Sequence, residues 1–217
     1  MDEFAAARES MLEWHLRGRG LHDARVLDAM ARVPREAFVS SADRRDAYGD
    51  HPLPIGEGQT ISQPYVVAAT LELARCRPTD RLLDVGTGSG YAAAVASLVV
   101  REVVTIERLP ALAEDARVRL ARLGYANVRV VVGDGTLGVP DAAPFDVIVA
   151  AAAGPVVPRA WKSQLADGGR IVAPVGTLDA QRLVRVTRDG AQFREEELMD
   201  VRYVPLVGEQ GFPEPRW

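Results

Sequence analysis

The chain is poor in cysteine, carries no excess of positive charge and has no long hydrophobic run. Cys76 is the single cysteine among 217 residues, which excludes an internal disulfide and a cysteine-rich zinc site. The formal net charge is −4 at pH 7, so the charge balance gives no sign of a basic surface for nucleic-acid phosphates. No group of histidine, cysteine and aspartate has the spacing of a metal site. We therefore predict no nucleic-acid partner and no metal.

Membrane and export signals are also missing from the pattern. No apolar run approaches the roughly 20 residues that a membrane-spanning helix needs. The segment Val95–Val100 is far shorter than that. The first three residues include two acids, where a secretory signal would be basic. We expect a cytoplasmic protein that does not bind membranes, and we expect a monomer.

What the chain does contain is an alternation of strand-like and helix-like segments. The predicted strands are Arg81–Val85, Glu102–Ile106, Val128–Val132, Phe145–Ala150 and Arg170–Val175. The predicted helices between them are Tyr91–Val99, Pro110–Leu123 and Pro158–Leu165. Valine and isoleucine runs without polar alternation indicate strands that are buried on both faces, as in a parallel sheet. We predict an α/β fold with a doubly wound, mostly parallel sheet, which Gln181–Thr187 and Leu198–Leu206 close as antiparallel strands.

The part of the chain before this alternation predicts helices and then a loop. Two amphipathic helices are expected before Gly18 and before Pro34. Residues 48–64 are so rich in glycine and proline that we predict no regular element there, and irregular loops of this kind often carry function. A helix is predicted from Pro64 to Arg75. We expect a single domain over residues 1–217, with a helical N-terminal region and loop over 1–63 and the sheet-containing core over 64–217.

The most informative motif is the glycine-rich turn Gly86–Gly90, which follows the apolar run Leu82–Val85. Glycine has no Cβ and tolerates positive φ, so such a turn lets the backbone approach a ligand closely. The helix that starts beyond the turn has free backbone N–H groups at its N-terminus. A strand, a tight turn and a helix in this order predict a pocket for a nucleotide-like ligand.

The glycine spacing and one acid narrow the ligand. Gly86, Gly88 and Gly90 give G-x-G-x-G, whereas the dinucleotide fingerprint is G-x-G-x-x-G, which disfavours an NAD(P) oxidoreductase. Asp84 lies two residues before the first glycine, where a carboxylate would repel a pyrophosphate and attract an ammonium or sulfonium group. The turn resembles the first motif of the S-adenosylmethionine-dependent methyltransferases.

Two further acids follow the next two predicted strands, at the edge of the sheet where ligands bind in this class of fold. Glu107 can accept hydrogen bonds from two ribose hydroxyls. Asp134, between Gly133 and Gly135, can accept one from an adenine amino group. The predicted cofactor site comprises Asp84, Gly86, Thr87, Gly88, Ser89, Gly90, Glu107, Arg108, Gly133, Asp134 and Gly135.

The segment before the sheet makes the resemblance more specific. Pro52–Gly56 and then Gly58–Pro64 are similar to the protein-L-isoaspartate O-methyltransferase family. Further similar segments are Val132–Gly135, Pro155–Pro158, Gly168–Arg170, Pro174–Gly176 and Val201–Leu206. The resemblance implies transfer of a methyl group from S-adenosylmethionine to the α-carboxylate of L-isoaspartyl residues in damaged proteins and peptides. It also implies that the ester then collapses to a succinimide, which can reopen to normal aspartate.

The resemblance also implies the residues of the acceptor site. Ser62 is placed as the active-site serine, and the substrate-binding residues are Pro54, Ile55, Gln59, Thr60, Ile61 and Ser62. A carboxylate is already ionised at neutral pH, so we interpret Ser62 as a donor that positions the acceptor rather than as a nucleophile. Ser62 can also be interpreted as the N-cap of the helix that begins near Pro64.

The chain departs from the family pattern at Ala151, Gly154 and Trp161, which leaves the fine contacts with the acceptor open. Two other functions remain open, and Ala151 and Trp161 leave room for the first of them. One is a homologous carboxyl methyltransferase that acts on an aspartate of a biosynthetic peptide. The other is a non-catalytic protein that binds S-adenosylmethionine or isoaspartate.

Overall fold

The computed structural model describes residues 3–214 of the chain, so residues 1–2 and 215–217 of the predicted domain lie outside the described part. The α-helices are α1 (Ala5–Ser10), α2 (Ala24–Arg32), α3 (Pro64–Leu73), α4 (Tyr91–Ser97), α5 (Pro110–Arg122) and α6 (Arg159–Gln164). The strands are β1 (Leu53–Gly56), β2 (Gln59–Ile61), β3 (Arg81–Val85), β4 (Glu102–Glu107), β5 (Val128–Val132), β6 (Phe145–Ala150), β7 (Leu165–Gly176), β8 (Gln181–Asp189) and β9 (Gln192–Val201). No helix in the range 3–214 is long and apolar enough to cross a membrane.

Seven strands form one sheet in the order β5-β4-β3-β6-β7-β8-β9. All neighbours from β5 to β7 are parallel, and the pairs β7–β8 and β8–β9 are antiparallel. The chain runs outward from β3 to β5 and then returns to β6. The order therefore reverses between β3 and β6, which is the position where open α/β sheets bind ligands. The predicted fold class is confirmed.

The sheet is buried on both faces because its central strands are apolar at successive positions. Leu82 belongs to an apolar cluster on one face, together with Val147 and residues of α2, α3 and α4. Leu83, the next residue, belongs to a second cluster with Ile148 and Trp161. Since successive strand residues point to opposite faces, this split is expected for a strand without polar alternation.

The N-terminal region packs onto the first of these two faces. α1 continues into a π-helical turn over Met11–Leu16, and α2 begins at a cap in which Asp23 accepts hydrogen bonds from the N–H groups of Arg25 and Val26. Met11, Leu16 and residues of α2 join the same apolar cluster as the sheet. This packing fixes the N-terminal region against the face of the sheet that carries α3 and α4.

The prediction of an irregular segment over residues 48–64 is wrong, because β1 and β2 form an antiparallel hairpin there. Pro54 and the glycines masked the strand signal. The turn requires the two glycines, because Gly56 and Gly58 have φ of 94° and 67°. Glu57 between them has φ of 51°. We refer to Leu53–Ile61 below as the β1–β2 hairpin.

The last predicted strand is wrong at both ends. β9 begins at Gln192 and ends at Val201, whereas Leu198–Leu206 was predicted. Its acidic residues are tolerated because it is the edge strand, where Glu196 accepts hydrogen bonds from Arg185 of β8. Residues 202–206 leave the sheet, and the side chain of Gln181 holds the backbone N–H and C=O of Tyr203 at 2.7 Å and 3.1 Å.

Candidate active site

A cleft opens at the carboxyl ends of β3 and β4. We call it the main cleft. Its walls come from the glycine turn, the end of β4, the β1–β2 hairpin and the segment after β9. The lining residues are Gln59, Thr60, Val85, Gly86, Gly88, Ile106, Glu107, Arg108, Leu109, Gly135, Ala151, Ala152 and Val204–Val207.

The glycine turn has the backbone conformation that its sequence predicts. Gly86, Gly88 and Gly90 have φ of 96°, 50° and 88°, all in the left-handed region that favours glycine. The N–H of Gly86 donates to the carbonyl of Ile106, and the N–H of Gly88 donates to Oε2 of Glu107, both at 2.9 Å. The turn is therefore tied to the end of β4 while its backbone lines the main cleft.

Asp84 lies beneath the turn and is only 1% exposed. Its Oδ2 accepts a hydrogen bond of 2.8 Å from the hydroxyl of Thr105, which lies 2.7 Å from the hydroxyl of Thr87. Burial raises the pKa of Asp84 to about 7, the charge of Glu107 adds to this rise, and the Thr105 hydrogen bond opposes it. Asp84 forms no ion pair with a cationic side chain in the described part of the chain, so its site fits a cationic ligand.

Glu107 is the last residue of β4 and is 7% exposed. Its two carboxylate oxygens accept from the N–H groups of Gly88 and Leu109, at 2.9 Å and 3.0 Å. These bonds hold the carboxylate in place at the wall of the main cleft. Each carboxylate oxygen has a second lone pair, so Glu107 can still accept two hydroxyl groups from a ligand.

Asp134 accepts hydrogen bonds from other residues of the protein, which its predicted role as acceptor for an adenine amino group does not require. Its carboxylate accepts from the N–H and the hydroxyl of Thr136, at 2.8 Å and 2.6 Å, and from the N–H of Glu209 at 2.8 Å. The neighbouring Gly135 lines the main cleft instead. A Cβ on Gly135 would lie 2.7 Å from Cγ1 of Val85, so only glycine fits this wall.

The other predicted cofactor residues divide into two groups. Asp84, Gly86, Gly88, Ser89, Glu107, Arg108 and Gly135 line the main cleft or an adjoining pocket. Thr87, Gly90, Gly133 and Asp134 are not among those lining residues. Of this second group, Thr87 makes the hydroxyl contact with Thr105 and Gly90 is the residue that precedes α4.

Two further spaces adjoin the main cleft on the side of α3. The outer groove is lined by Pro52, Thr60, Ser62, Gln63, Val66, Ala151, Arg202, Tyr203 and Val204. The inner pocket is lined by Ser62, Val67, Thr70, Leu71, Asp84, Ala92, Val149, Ala150, Ala151 and Tyr203. Ser62 lines both spaces, so it lies between the outer groove and the pocket that contains Asp84. Ala151 lines all three spaces and marks their junction.

Ser62 is not the N-cap of α3, so that interpretation is wrong. Gln63 occupies the cap position, and no side chain makes a capping hydrogen bond there. The Ser62 hydroxyl has no hydrogen-bond partner among residues 3–214, whereas its carbonyl accepts a bond of 2.8 Å from Nη2 of Arg35. The hydroxyl is therefore free to donate to a ligand.

The predicted acceptor residues lie on both sides of the β1–β2 hairpin. Gln59 and Thr60 line the main cleft, and Thr60 also lines the outer groove. Pro54 and Ile55 line a separate space on the other side, together with Ser89 and Arg119. Ile61 is buried in the apolar core and supports the hairpin from below.

The three departures from the family pattern have different positions. Ala151 is at the junction of the three spaces. Trp161 is 1% exposed, and its Nε1 donates to the carbonyl of Gly135 at 2.9 Å, so it supports the wall of the main cleft from behind. Gly154 forms a backbone bridge with Val175. Neither Trp161 nor Gly154 is among the residues that line the main cleft, the outer groove or the inner pocket.

Sequence reasoning missed several residues of the site. Thr105 had a usable signal, since it is the one uncharged polar residue in the apolar strand β4. Residues 203–206 are predicted to end a strand, but together with Val207 they form a wall of the site instead. Arg35, which lies far away in sequence, had no local signal.

The chain matches the family model described as protein-L-isoaspartate(D-aspartate) O-methyltransferase over residues 7–211. A protein-L-isoaspartate O-methyltransferase of Roseiflexus sp. (strain RS-1) is 53% identical, over 99% of this chain and 98% of the relative. The protein of that name from Methanoregula boonei is 51% identical, over 94% of each chain.

Two solved structures with related names are also similar to this chain. A structure named protein-L-isoaspartate O-methyltransferase has a TM-score of 0.86 and 32% identity, over 94% of this chain and 67% of the other. A candidate protein-L-isoaspartate O-methyltransferase from Plasmodium falciparum, solved in complex with S-adenosyl-L-homocysteine, has a TM-score of 0.80 and 26% identity, over 92% of this chain and 98% of the other.

Proposed function

The chain belongs to the protein-L-isoaspartate(D-aspartate) O-methyltransferase family, and we propose that Ser62 positions the acceptor of its reaction. The protein is an S-adenosylmethionine-dependent enzyme that methylates the α-carboxylate of L-isoaspartyl residues in proteins and peptides. The observation that carries the proposal is that Ser62 and Asp84 line the same pocket. The Ser62 hydroxyl can donate a hydrogen bond to the methyl acceptor there, and the Asp84 carboxylate suits the cationic cofactor.

The residues of the main cleft and of the inner pocket fit S-adenosylmethionine. A buried carboxylate without a cationic partner, Asp84, suits the ammonium group of the cofactor. Glu107 suits the two ribose hydroxyls, and the backbone of Gly86–Gly90 allows the ligand to lie close to the chain. When bound, the cofactor supplies a methyl group on a sulfonium sulfur, an electrophile that a carboxylate can attack without a metal.

The acceptor needs placement rather than activation. An α-carboxyl group has a pKa of about 3.3–3.7, so it is ionised at neutral pH and requires no general base. A carboxylate oxygen must approach the methyl carbon in line with the C–S bond, from about 3–3.5 Å. We propose that the Ser62 hydroxyl donates to the other carboxylate oxygen, because a neutral donor orients the nucleophile and does not quench its charge as a cation would.

The β1–β2 hairpin is proposed to hold the substrate chain through its backbone. A two-stranded hairpin has free N–H and C=O groups along its outer edges, which can pair with an extended peptide of any sequence. Thr60 lines the outer groove together with Ser62, and Gln59 lines the main cleft. Such main-chain recognition suits an enzyme whose acceptor occurs in many sequence contexts.

The methyl ester is proposed to leave the enzyme before repair is completed. The backbone nitrogen that follows the isoaspartyl residue attacks the ester carbonyl, methanol is released, and a succinimide forms. Water then opens the succinimide, in part to normal aspartate. None of these steps needs a residue of this chain.

We further propose that residues 1–217 form a single domain and that the protein is a cytoplasmic monomer without nucleic-acid partners. In support of one domain, Met11 and Leu16 share an apolar cluster with Leu82 and Val147 of the sheet. The net charge of −4 disfavours a phosphate-binding surface. One cooperative unfolding transition and a monomer mass in light scattering are the results we expect, and two transitions or a dimer would contradict this proposal.

The experiment that tests the proposal compares wild type with Ser62→Ala. Methyl transfer to an isoaspartyl peptide is expected to fall by about a hundredfold, because one positioning donor is lost. Binding of S-adenosylhomocysteine and the melting temperature are expected to stay unchanged, since the hydroxyl caps no helix. An unchanged transfer rate would refute the role of Ser62. Cofactor binding without transfer to any carboxylate by the wild type would support a non-catalytic binding protein.

A further inference from the structure

Arg35 lies behind Ser62 with none of its surface exposed. Its Nε donates to the carbonyl of Ala47 at 2.6 Å, and its Nη2 donates to the carbonyl of Ser62 at 2.8 Å. Its guanidinium carbon lies 4.7 Å from the ring centroid of Tyr91. One side chain thus contacts the N-terminal region, the end of the β1–β2 hairpin and the first residue of α4, which follows the glycine turn.

The position of Arg35 follows from the turn that contains it. Pro34 ends the helical region around α2, and Arg35–Phe38 form a 3₁₀ turn. Arg35 and Phe38 both contact Tyr91, and the Phe38 ring meets the Tyr91 ring edge-on at 5.5 Å. The guanidinium is therefore held on a fixed aromatic platform, which leaves its planar donors little freedom.

A stabilising role alone does not account for this arrangement. A fully buried cation loses most of its hydration free energy, which an ion pair usually offsets in part. Burial lowers the pKa of Arg35, and the neighbouring Tyr91, Tyr48 and Asp50 oppose this. Arg35 has no ion pair with a carboxylate within 4 Å in the described part of the chain, and its Nη1 has no hydrogen-bond partner there. Arg170 provides the contrast. It donates to three backbone carbonyls, those of Ala74, Arg75 and Asp146, but it pairs with Asp80 at 2.5 Å, and none of these partners lines the site.

We propose that Arg35 is a positioning residue for methyl transfer, because it fixes the Ser62 peptide against the helix that follows the glycine turn. This inference rests on the proposed role of Ser62. The two hydrogen bonds hold the Ser62 peptide, which follows the β1–β2 hairpin, against Ala47. The Tyr91 contact fixes the position of this peptide relative to α4 and the glycine turn. The distance between the Ser62 hydroxyl and the main cleft then depends on a rigid guanidinium fork.

Arg35→Lys tests this inference, with Arg170→Lys as the matched control. Lysine keeps the charge but lacks the planar fork, so it cannot hold both carbonyls in one geometry. We expect kcat for an isoaspartyl peptide to fall by about tenfold to a hundredfold in Arg35→Lys. Binding of S-adenosylhomocysteine is expected to stay within about twofold, since no contact of Arg35 lies in the main cleft. Arg170→Lys is expected to lower the melting temperature and to leave kcat unchanged.

The combination with Ser62→Ala separates positioning from general stability. If Arg35 acts through Ser62, then Arg35→Lys adds no further loss of kcat in the Ser62→Ala background. Equal losses of kcat in Arg35→Lys and Arg170→Lys, or an additive loss in the double variant, would overturn the inference. If Arg35→Lys keeps the wild-type kcat while Ser62→Ala is slow, the inference about Arg35 is overturned and the role of Ser62 stands. If Ser62→Ala is as fast as the wild type, the role of Ser62 itself is refuted.

Arg35→Gln keeps the test decisive if the lysine variant does not fold. Glutamine removes the buried charge and keeps one N–H₂ donor for a carbonyl. We expect a folded protein whose kcat is reduced by at least about fivefold and whose cofactor binding is normal. A folded glutamine variant with wild-type kcat would overturn the inference.

Discussion

The hydroxyl of Thr105 donates a hydrogen bond of 2.8 Å to Oδ2 of Asp84 inside the sheet, beneath the glycine turn. This bond favours the ionised carboxylate, while burial favours the protonated form and prevails. The pKa of Asp84 is therefore raised to about 7. A cofactor with an ammonium group interacts best with the ionised form, so cofactor binding and the protonation of Asp84 are linked.

The linkage predicts a pH dependence of cofactor binding. The affinity for S-adenosylmethionine should rise as the pH increases through about 7, by at most about tenfold per pH unit below that value. Isothermal titration calorimetry between about pH 5.5 and pH 8.5 would measure it. Asp84→Asn should bind more weakly and lose this dependence. The titration of the ligand's own amino group is common to both proteins and cancels in the comparison.

Thr105→Val tests the same linkage without a change of charge. Loss of the hydrogen bond should move the apparent pKa of Asp84 upward, so the rise in affinity should occur at higher pH than in the wild type. The contribution of Asp84 to stability depends on pH in the opposite direction to cofactor affinity. The folded chain holds the proton more tightly than the unfolded chain, so the contribution of Asp84 to the free energy of unfolding is greatest below its ordinary pKa of 3.8 and is lost as the pH rises through about 7. A pH-independent affinity in wild type would contradict the linkage.

Glu107→Gln should weaken cofactor binding by about tenfold to a hundredfold, because hydrogen bonds to a charged group contribute about 1.5–3 kcal/mol. The glutamine amide has a single oxygen, so it cannot accept from the N–H groups of Gly88 and Leu109 with one oxygen each, as the Glu107 carboxylate does. Glu102→Gln is the control, since Glu102 lies at the other end of β4 and pairs with Arg81. Equal dissociation constants for the two variants would show that Glu107 does not hold the cofactor.

Much of this site was predictable because its residues follow strands that are easy to recognise. β3, β5 and β6 have the bounds that their apolar runs predict, so the positions of Asp84 and Gly86 at the edge of the sheet followed from the chain order. Glu107 was also placed at that edge, although it is the last residue of β4 rather than the first residue after it. In these cases local sequence and global fold agree.

The remaining parts depend on contacts between segments that are far apart in sequence. The wall formed by Val204–Val207 was missed because β9 ends earlier than its apolar residues suggest. The place of Tyr203 is set by the Gln181 side chain, which sits at the start of another strand. Tertiary hydrogen bonds of this kind leave no periodic pattern in the sequence.

Trp161→Phe should lower stability and leave acceptor choice unchanged. The substitution removes the bond from Nε1 to the Gly135 carbonyl and leaves a small cavity in a fully buried place. A loss of about 1–3 kcal/mol is expected, which lowers the melting temperature by several degrees in a chain of this size. Differential scanning calorimetry and transfer rates for isoaspartyl and aspartyl peptides check both parts. A changed ratio of the two rates would mean that Trp161 reaches the acceptor.

The acceptor itself is the central claim, and one measurement tests it most directly. A matched pair of peptides, identical except for an isoaspartyl or an ordinary aspartyl linkage at one position, is incubated with the wild-type protein and S-adenosylmethionine labelled in its methyl group. We predict label in the isoaspartyl peptide alone, as an ester that is lost as methanol while a succinimide forms. Equal labelling of both peptides, or labelling of the aspartyl peptide alone, would contradict the account.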